Sequence, residues 1–196
     1  MNTKHPMHSF CTKTGLMVCV RRLQADDARF MIDIFDHMGP ESRYQRFGRT
    51  IGDVSRERVW QEAQEMTRLL AGGKNNGVIA FCALPGKGIQ PLGAARYVRT
   101  TSREAEVSVS VRDDFQGMGI GTHLVRLLVE IARENGIDRL VGDTMSDNAP
   151  MLYIFERLPY TTQRIPEGNY HKIIIDLTSP HASFEIEEDL PRLVMA

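Results

Sequence analysis

Asp113-Asp114-Phe115-Gln116-Gly117-Met118-Gly119-Ile120-Gly121-Thr122 is the stretch whose reading decides the fold. Before it, Glu106 to Val111 reads Glu-Val-Ser-Val-Ser-Val. That strict alternation predicts a strand with Val107, Val109 and Val111 on one face and Glu106, Ser108 and Ser110 on the other. After it, Leu124, Leu127, Leu128 and Ile131 recur at helical spacing until Asn135-Gly136 ends the run. Three glycines at alternate positions therefore stand where a strand hands over to a helix. Glycine lets backbone come close to a ligand with no side chain in the way. The first turn of a helix leaves N–H groups unpaired at the positive end of its dipole. Together these features predict an anion site suited to a pyrophosphate.

Two common pyrophosphate motifs do not fit. A Walker loop requires Gly-Lys-Ser/Thr, and no lysine follows Gly121. A dinucleotide fingerprint belongs to the first strand–helix–strand unit of a parallel sheet, whereas this turn lies mid-chain after a run of hairpin strands.

Working outward, Leu16 to Arg22 reads as a first strand and Gln24 to His37 as a helix, broken by Gly39-Pro40. Ser55 to Leu70 is a second helix, ended by Gly72-Gly73. Gly77 to Leu84 and Leu92 to Arg99 form a hairpin about Pro85-Gly86-Lys87-Gly88, and Arg103-Glu104 is a further turn. Past the glycine-rich helix, Arg139 to Met145 is a strand. Asp147 or Asn148 caps a helix carrying Met151, Phe155 and Leu158, and strands follow near Tyr160 to Arg164 and Tyr170 to Leu177. The order is β-α-α-β-β-β-α-β-α-β-β, with seven strands and four helices in an α/β (α+β) arrangement.

The 196 residues suit one domain with a single sizeable core. Hydrophobic residues make up 42 % and charged residues 25 %, the balance of a globular chain. A net charge of −1 without a long basic run gives no footing for nucleic acid. No apolar run approaches the roughly 20 residues that span a bilayer, so no membrane association is expected. Met1 to Thr14 lacks an apolar signal core, and the three cysteines form no CxxC pair. A cytoplasmic location is expected from this. His5, His8 and Cys11 read as chance spacing in a frayed terminus, and no metal site is expected.

On these motifs the chain resembles the GNAT superfamily of acyl-CoA-dependent N-acyltransferases. Gln116-Gly117-Met118-Gly119-Ile120-Gly121 is similar to the family's Gln/Arg-x-x-Gly-x-Gly/Ala, and Asn148, Met151, Phe155 and Leu158-Pro159-Tyr160 to its Asn–helix–Leu-Gly-Phe signal. Pro159-Tyr160 departs from that second pattern. The alternating strand at Glu106, and Gly39 to Phe47, look like segments of bacterial protein lysine acetyltransferases.

The resemblance implies a mixed, mostly antiparallel sheet splayed between its fourth and fifth strands. The acetyltransferase domain would span 16–178, between a flexible segment 1–15 and a tail 179–196. It implies acetyl-CoA as co-substrate, with the pyrophosphate on the amides of Gln116, Gly117, Met118, Gly119, Ile120, Gly121 and Thr122. Pantetheine would pair with backbone near Val109 and Val111, touched by Asn148 and flanked by the helix bearing Met151 and Phe155. The acceptor is a small-molecule amine or a protein lysine. A homodimer through the C-terminal strands is within the family's habits.

An amine has an unperturbed pKa of about 10.4 and must lose its proton before attacking a thioester. Glu106 is the expected general base, a partly buried carboxylate at the start of the splayed strand. Phe155 stands where many family members carry a tyrosine acid, which leaves the oxyanion to a backbone N–H of Val109 or Val111. The competing reading is a non-catalytic acyl-CoA sensor or scaffold on the same fold, which has no need of Glu106.

Overall fold

The computed structural model describes residues 7–48, 54–70 and 75–180. It opens with β1 (His8–Cys11), β2 (Met17–Arg22), α1 (Ala28–Asp36), α2 (Pro40–Phe47) and α3 (Arg56–Arg68). β3 (Asn76–Leu84), β4 (Gly88–Arg99) and β5 (Glu104–Val111) follow, then a 3-10 turn over Asp113–Phe115 and α4 (Ile120–Glu134). β6 (Arg139–Met145), α5 (Ala149–Glu156), β7 (Tyr160–Glu167) and β8 (Tyr170–Pro180) complete it. No helix among the described residues is long and apolar enough to cross a membrane.

The strands make one sheet in the order β1-β2-β3-β4-β5-β6-β8-β7. Every neighbouring pair is antiparallel except β5 and β6. Parallel neighbours need a crossover, and α4 provides it. This helix buries Leu124, Val125, Leu128 and Val129 in the main core, against Val78, Leu92, Tyr97 and Val107 of the sheet. Each fully buried leucine is worth about 1.5–3 kcal/mol over an exposed one. On the opposite face a smaller cluster joins Ile34 and Met38 from the α1 side to Ile79, Phe81 and Ala94.

The mostly antiparallel mixed sheet agrees with the sequence reading, but there are eight strands and five helices instead of seven and four. The extra strand, β1, lies within the stretch read as a flexible N-terminal segment. Only Phe10 of its four residues is buried, so it carries almost no periodic signal. The extra helix, α2, occupies the segment read as a turn. It has no fully buried residue, and its signals are local: Pro40 at its start, Glu41 in its first turn, and Gly48 closing it at φ 66°. β4 and β5 also begin earlier than read, at Gly88 and Glu104. Of the C-terminal tail, Ser179 and Pro180 end β8. The rest of that tail, Met1 to Pro6 of the N-terminal segment, and Gly72-Gly73 lie outside the described residues.

β1 is fastened to α4 by a ring stack. Phe10 and His123 lie 3.7 Å apart and 15° from parallel. Burial of the imidazole, then the nearby His8 and Arg126, pull the His123 pKa down to about 4. In the unfolded chain it is near 6.5. The unfolded state therefore takes up this proton first. The stability His123 contributes is complete above pH 6.5 and is lost as pH falls towards 4. His123→Phe keeps a ring on Phe10 and removes the titration. Its melting temperature should fall less between pH 7 and pH 4.5 than that of the wild type. Equal falls, measured by circular dichroism, would show that His123 contributes no pH dependence.

Candidate active site

The one parallel pair in the sheet is also the shortest. β5 and β6 register only at Glu104–Arg139, Ala105–Leu140 and Glu106–Val141, and then part. Gly142 allows the close approach at the point of separation, since a Cβ there would stand 3.1 Å from Val107 Cγ1 and 3.3 Å from Val107 O. Beyond it the sheet is split by a wedge-shaped gap.

Hydrogen bonds on both edges of β5 show which backbone groups face the gap. On the β4 side, Thr100 N–H donates to Glu104 C=O at 3.0 Å, and Arg112 N–H donates to Leu92 C=O at 2.9 Å. On the β6 side, Arg139 N–H donates to Arg103 C=O at 3.1 Å. Backbone direction alternates along a strand. The amide groups of Val109 and Val111 therefore point into the gap, past the last paired residue.

At the open end of the gap lies the glycine-rich turn. Gly117 and Gly119 have φ of 73° and 84°, the left-handed region that disfavours any side chain. Gly121 serves differently, as a Cβ there would lie 3.3 Å from Ile154 Cδ1 of α5. The first helical bond of α4 is His123 N–H to Gly119 C=O at 3.1 Å. The amides of Gly117, Met118, Gly119, Ile120, Gly121 and Thr122 have no acceptor among the described residues. No acidic side chain occupies the first turn of α4. Six successive free N–H groups at a helix start form a cradle for negative charge.

The turn is held from beneath by Arg112, a residue that sequence reasoning missed. Only 4 % of its side chain is exposed. Its guanidinium donates to Asp33 of α1 at 2.9 Å and to both oxygens of Asp114 at 3.0 and 2.8 Å. Burial works against the Arg112 charge, but Asp114 and Asp33 outweigh it and raise the pKa further. In return, the hydrogen bond from Arg112 holds Asp114 below the usual carboxylate range.

Gln116 is a second tie. Its side-chain amide reaches Ser42 Oγ at 3.1 Å, Val111 C=O at 3.2 Å and Asp113 Oδ1 at 3.1 Å. Ser42 lies on α2, and one turn further along the same helix Gln45 donates to Asp147 Oδ1 at 2.9 Å. Asp147 belongs to the loop after β6. α2 thus spans the mouth of the gap, stitched to the turn after β5 and to the loop after β6. Arg46 follows Ser42 by four residues and shares that helix face.

Asn148 caps α5, its Oδ1 accepting from Met151 N–H at 3.1 Å. Met151 and Ile154 are half-buried against the core. Phe155 is 5 % exposed and sits within the core, beside a cavity of about 290 Å³ that Thr162 and Arg164 also line on the β7 side of α5. Tyr153 is 53 % exposed, its ring under Arg157 at 4.4 Å, away from the gap-facing residues of α5.

Glu106 differs from expectation. It is exposed instead of partly buried, because the strands part at this residue and nothing closes over it. It lies on the sheet face opposite the core valines. Its charged neighbours are Arg46 and Arg96, both half-buried. Loss of solvent, then repulsion from Arg96, pull the Arg46 pKa down to about 10, and Glu106 works in the opposite direction.

A sheet split at its single parallel pair, with an anion cradle at the mouth, defines the acyl-CoA-type N-acyltransferase fold. The profile of the acetyltransferase (GNAT) family matches residues 37–159, and the chain belongs to that family. It is 24 % identical over 158 residues to the acetyltransferase PA5475 of Pseudomonas aeruginosa, covering 79 % of this chain and 81 % of that protein. It is 39 % identical over 66 residues to the acetyltransferase Pat of Mycolicibacterium smegmatis, covering 33 % of this chain and 20 % of that longer protein. Among solved structures, the GNAT domain of S. lividans PAT has the same fold, with TM-score 0.69 at 23 % identity over 88 % of this chain and 99 % of that one. So does yncA, a putative acetyltransferase from Salmonella typhimurium solved with acetyl-CoA, with TM-score 0.58 at 21 % identity over 85 % and 99 %.

Arg112→Met should reveal how far the turn depends on its buried guanidinium. It leaves Asp33 and Asp114 without their cation, though both keep solvent contact. The expected loss is about 2–4 kcal/mol, read as a lower midpoint in urea. A midpoint within error of wild type would show that Arg112 is not a structural anchor.

Proposed function

We propose that the protein transfers an acetyl group from acetyl-CoA to a primary amine by direct attack within a ternary complex. The observation that carries this reading is the gap between β5 and β6 with six unpaired amides at its mouth. Pantetheine is an extended chain with peptide-like amides, able to add to an open strand edge as a peptide would. The backbone of Val109 and Val111 offers that edge. The amides from Gly117 to Thr122 suit the pyrophosphate, with the Gln116 side chain bracing the turn from behind. Met151 and Asn148 at the start of α5 border the thioester end, and Phe155 backs them from the core. The acetyl-CoA seen with yncA, on the same fold, supports the same co-substrate here.

Catalysis then rests on few groups. Glu106 removes a proton from the acceptor ammonium, directly or through one water, and frees the nitrogen lone pair. The nitrogen attacks the thioester carbonyl carbon, and an N–H of Val109 or Val111 stabilises the oxyanion. Collapse breaks the C–S bond, and the second proton on the nitrogen passes to the departing thiolate or to solvent as the neutral amide forms. Cys11 and Cys19 lie on β1 and β2, at the far end of the sheet from the gap, and Cys82 is buried in β3, where burial pushes its thiol pKa up. None is poised to carry a covalent acyl group. A protein lysine is one acceptor of this class, favoured by the likeness of the Glu106 strand and of Gly39 to Phe47 to segments of bacterial protein lysine acetyltransferases.

Thiol release from acetyl-CoA, measured across amines and lysine peptides, tests the reading. Glu106→Gln should lower kcat by about 10²-fold or more, with CoA affinity retained in calorimetry. Binding of CoA with no acceptor-dependent release from the wild type would instead identify an acyl-CoA sensor.

A further inference from the structure

Arg46 and Arg96 are cations without a bonded anion. Arg46 extends from α2 on the face that spans the gap. Arg96 lies on β4 opposite Ser108, adjacent to the register pair Val98–Glu106. Neither guanidinium makes a hydrogen bond or ion pair with any described residue. The arginines that are fully buried are treated differently. Arg21 is closed by both oxygens of Asp27 at 2.7 and 2.8 Å, and Arg112 by Asp33 and Asp114. Arg46 and Arg96 are half-buried and bond no carboxylate, so their guanidinium donors are left for an incoming anion.

Glu106 is the carboxylate that acts on both cations, and it bonds neither. Two guanidiniums against one carboxylate leave this face with a net positive charge beside the proposed base. A simple ammonium would be repelled there. An amine with an anionic group of its own would not: its nitrogen faces Glu106 while its anion receives the guanidinium forks, which match a carboxylate in shape.

We infer that the acceptor is an amine bearing a carboxylate a few bonds from the nitrogen, held through that carboxylate by Arg46 and Arg96. This rests on the acetyl-transfer reading above. The carboxylate has two sources, the α-carboxylate of a free amino acid or an acidic side chain next to a lysine in a peptide. Ser108 and Ser110, half-buried on the same face, supply hydroxyls to the remaining lone pairs.

The test is acetyl transfer to L-amino acids paired with their primary amides, and to lysine pentapeptides flanked by Glu or by Arg. For the wild type, kcat/KM should be roughly 10-fold or more higher with the anionic member of a pair. The arm that shows the gap identifies the source. In Arg46→Gln and Arg96→Gln that ratio should fall towards one, and Arg46→Lys should keep much of it. Melting curves and CoA binding establish that each variant is folded. Equal or better turnover of uncharged or cationic acceptors would overturn the inference while leaving acetyl transfer intact. So would an anionic preference unchanged in both glutamine variants. Bound CoA with no acceptor acetylated would remove the acetyl-transfer reading, and this inference with it.

Discussion

The structure depends on a pairing that stops after three residues. β5 and β6 are parallel, and they hold together only from Glu104–Arg139 to Glu106–Val141. Had the pairing run to Val111 and Met145, the sheet would be continuous and its edge amides satisfied. Because it stops, two backbone edges face each other across the gap without pairing to one another. Buried backbone groups seek partners. A split sheet therefore offers an open strand edge set by the backbone before any side chain is considered.

The surroundings hold that split open at a set width. α4 packs across β3, β4 and β5 and carries the chain past the gap to β6. The buried Arg112 pins the turn at its mouth to α1 and Asp114. α2 reaches across from Ser42 to Asp147 and keeps the two strand ends in relation. These ties come from distant parts of the chain and fasten the anion cradle to the strand edge. Glu106 sits at the vertex of the wedge, where the strands diverge, and this explains its exposure.

Much of this was legible without coordinates. The alternation of Glu106 to Val111 and the leucine spacing after Thr122 set the strand and helix on either side of the glycines, because period two and period 3.6 reflect which face is buried. α2 was missed although Pro40, Glu41 and Gly48 mark its ends, since a short helix with no fully buried residue shows no apolar stripe. β1 was missed for the same reason. The roles of the three glycines were also merged in the sequence reading. Gly117 and Gly119 meet a backbone requirement, whereas Gly121 is small because α5 leans against it.

The sequence by itself determined most of the elements and the anion turn, since local periodicity and glycine chemistry act over a few residues; the mostly antiparallel sheet came with the family resemblance. The tertiary structure decided which edges of β5 are open, that Arg112 anchors the turn, and that Gln116 ties the turn to α2. It also decided that Arg46 and Arg96 share Glu106. Those relations join residues separated by tens of positions, through hydrogen bonds and fields that depend on distance in space. No spacing along a chain records such distances.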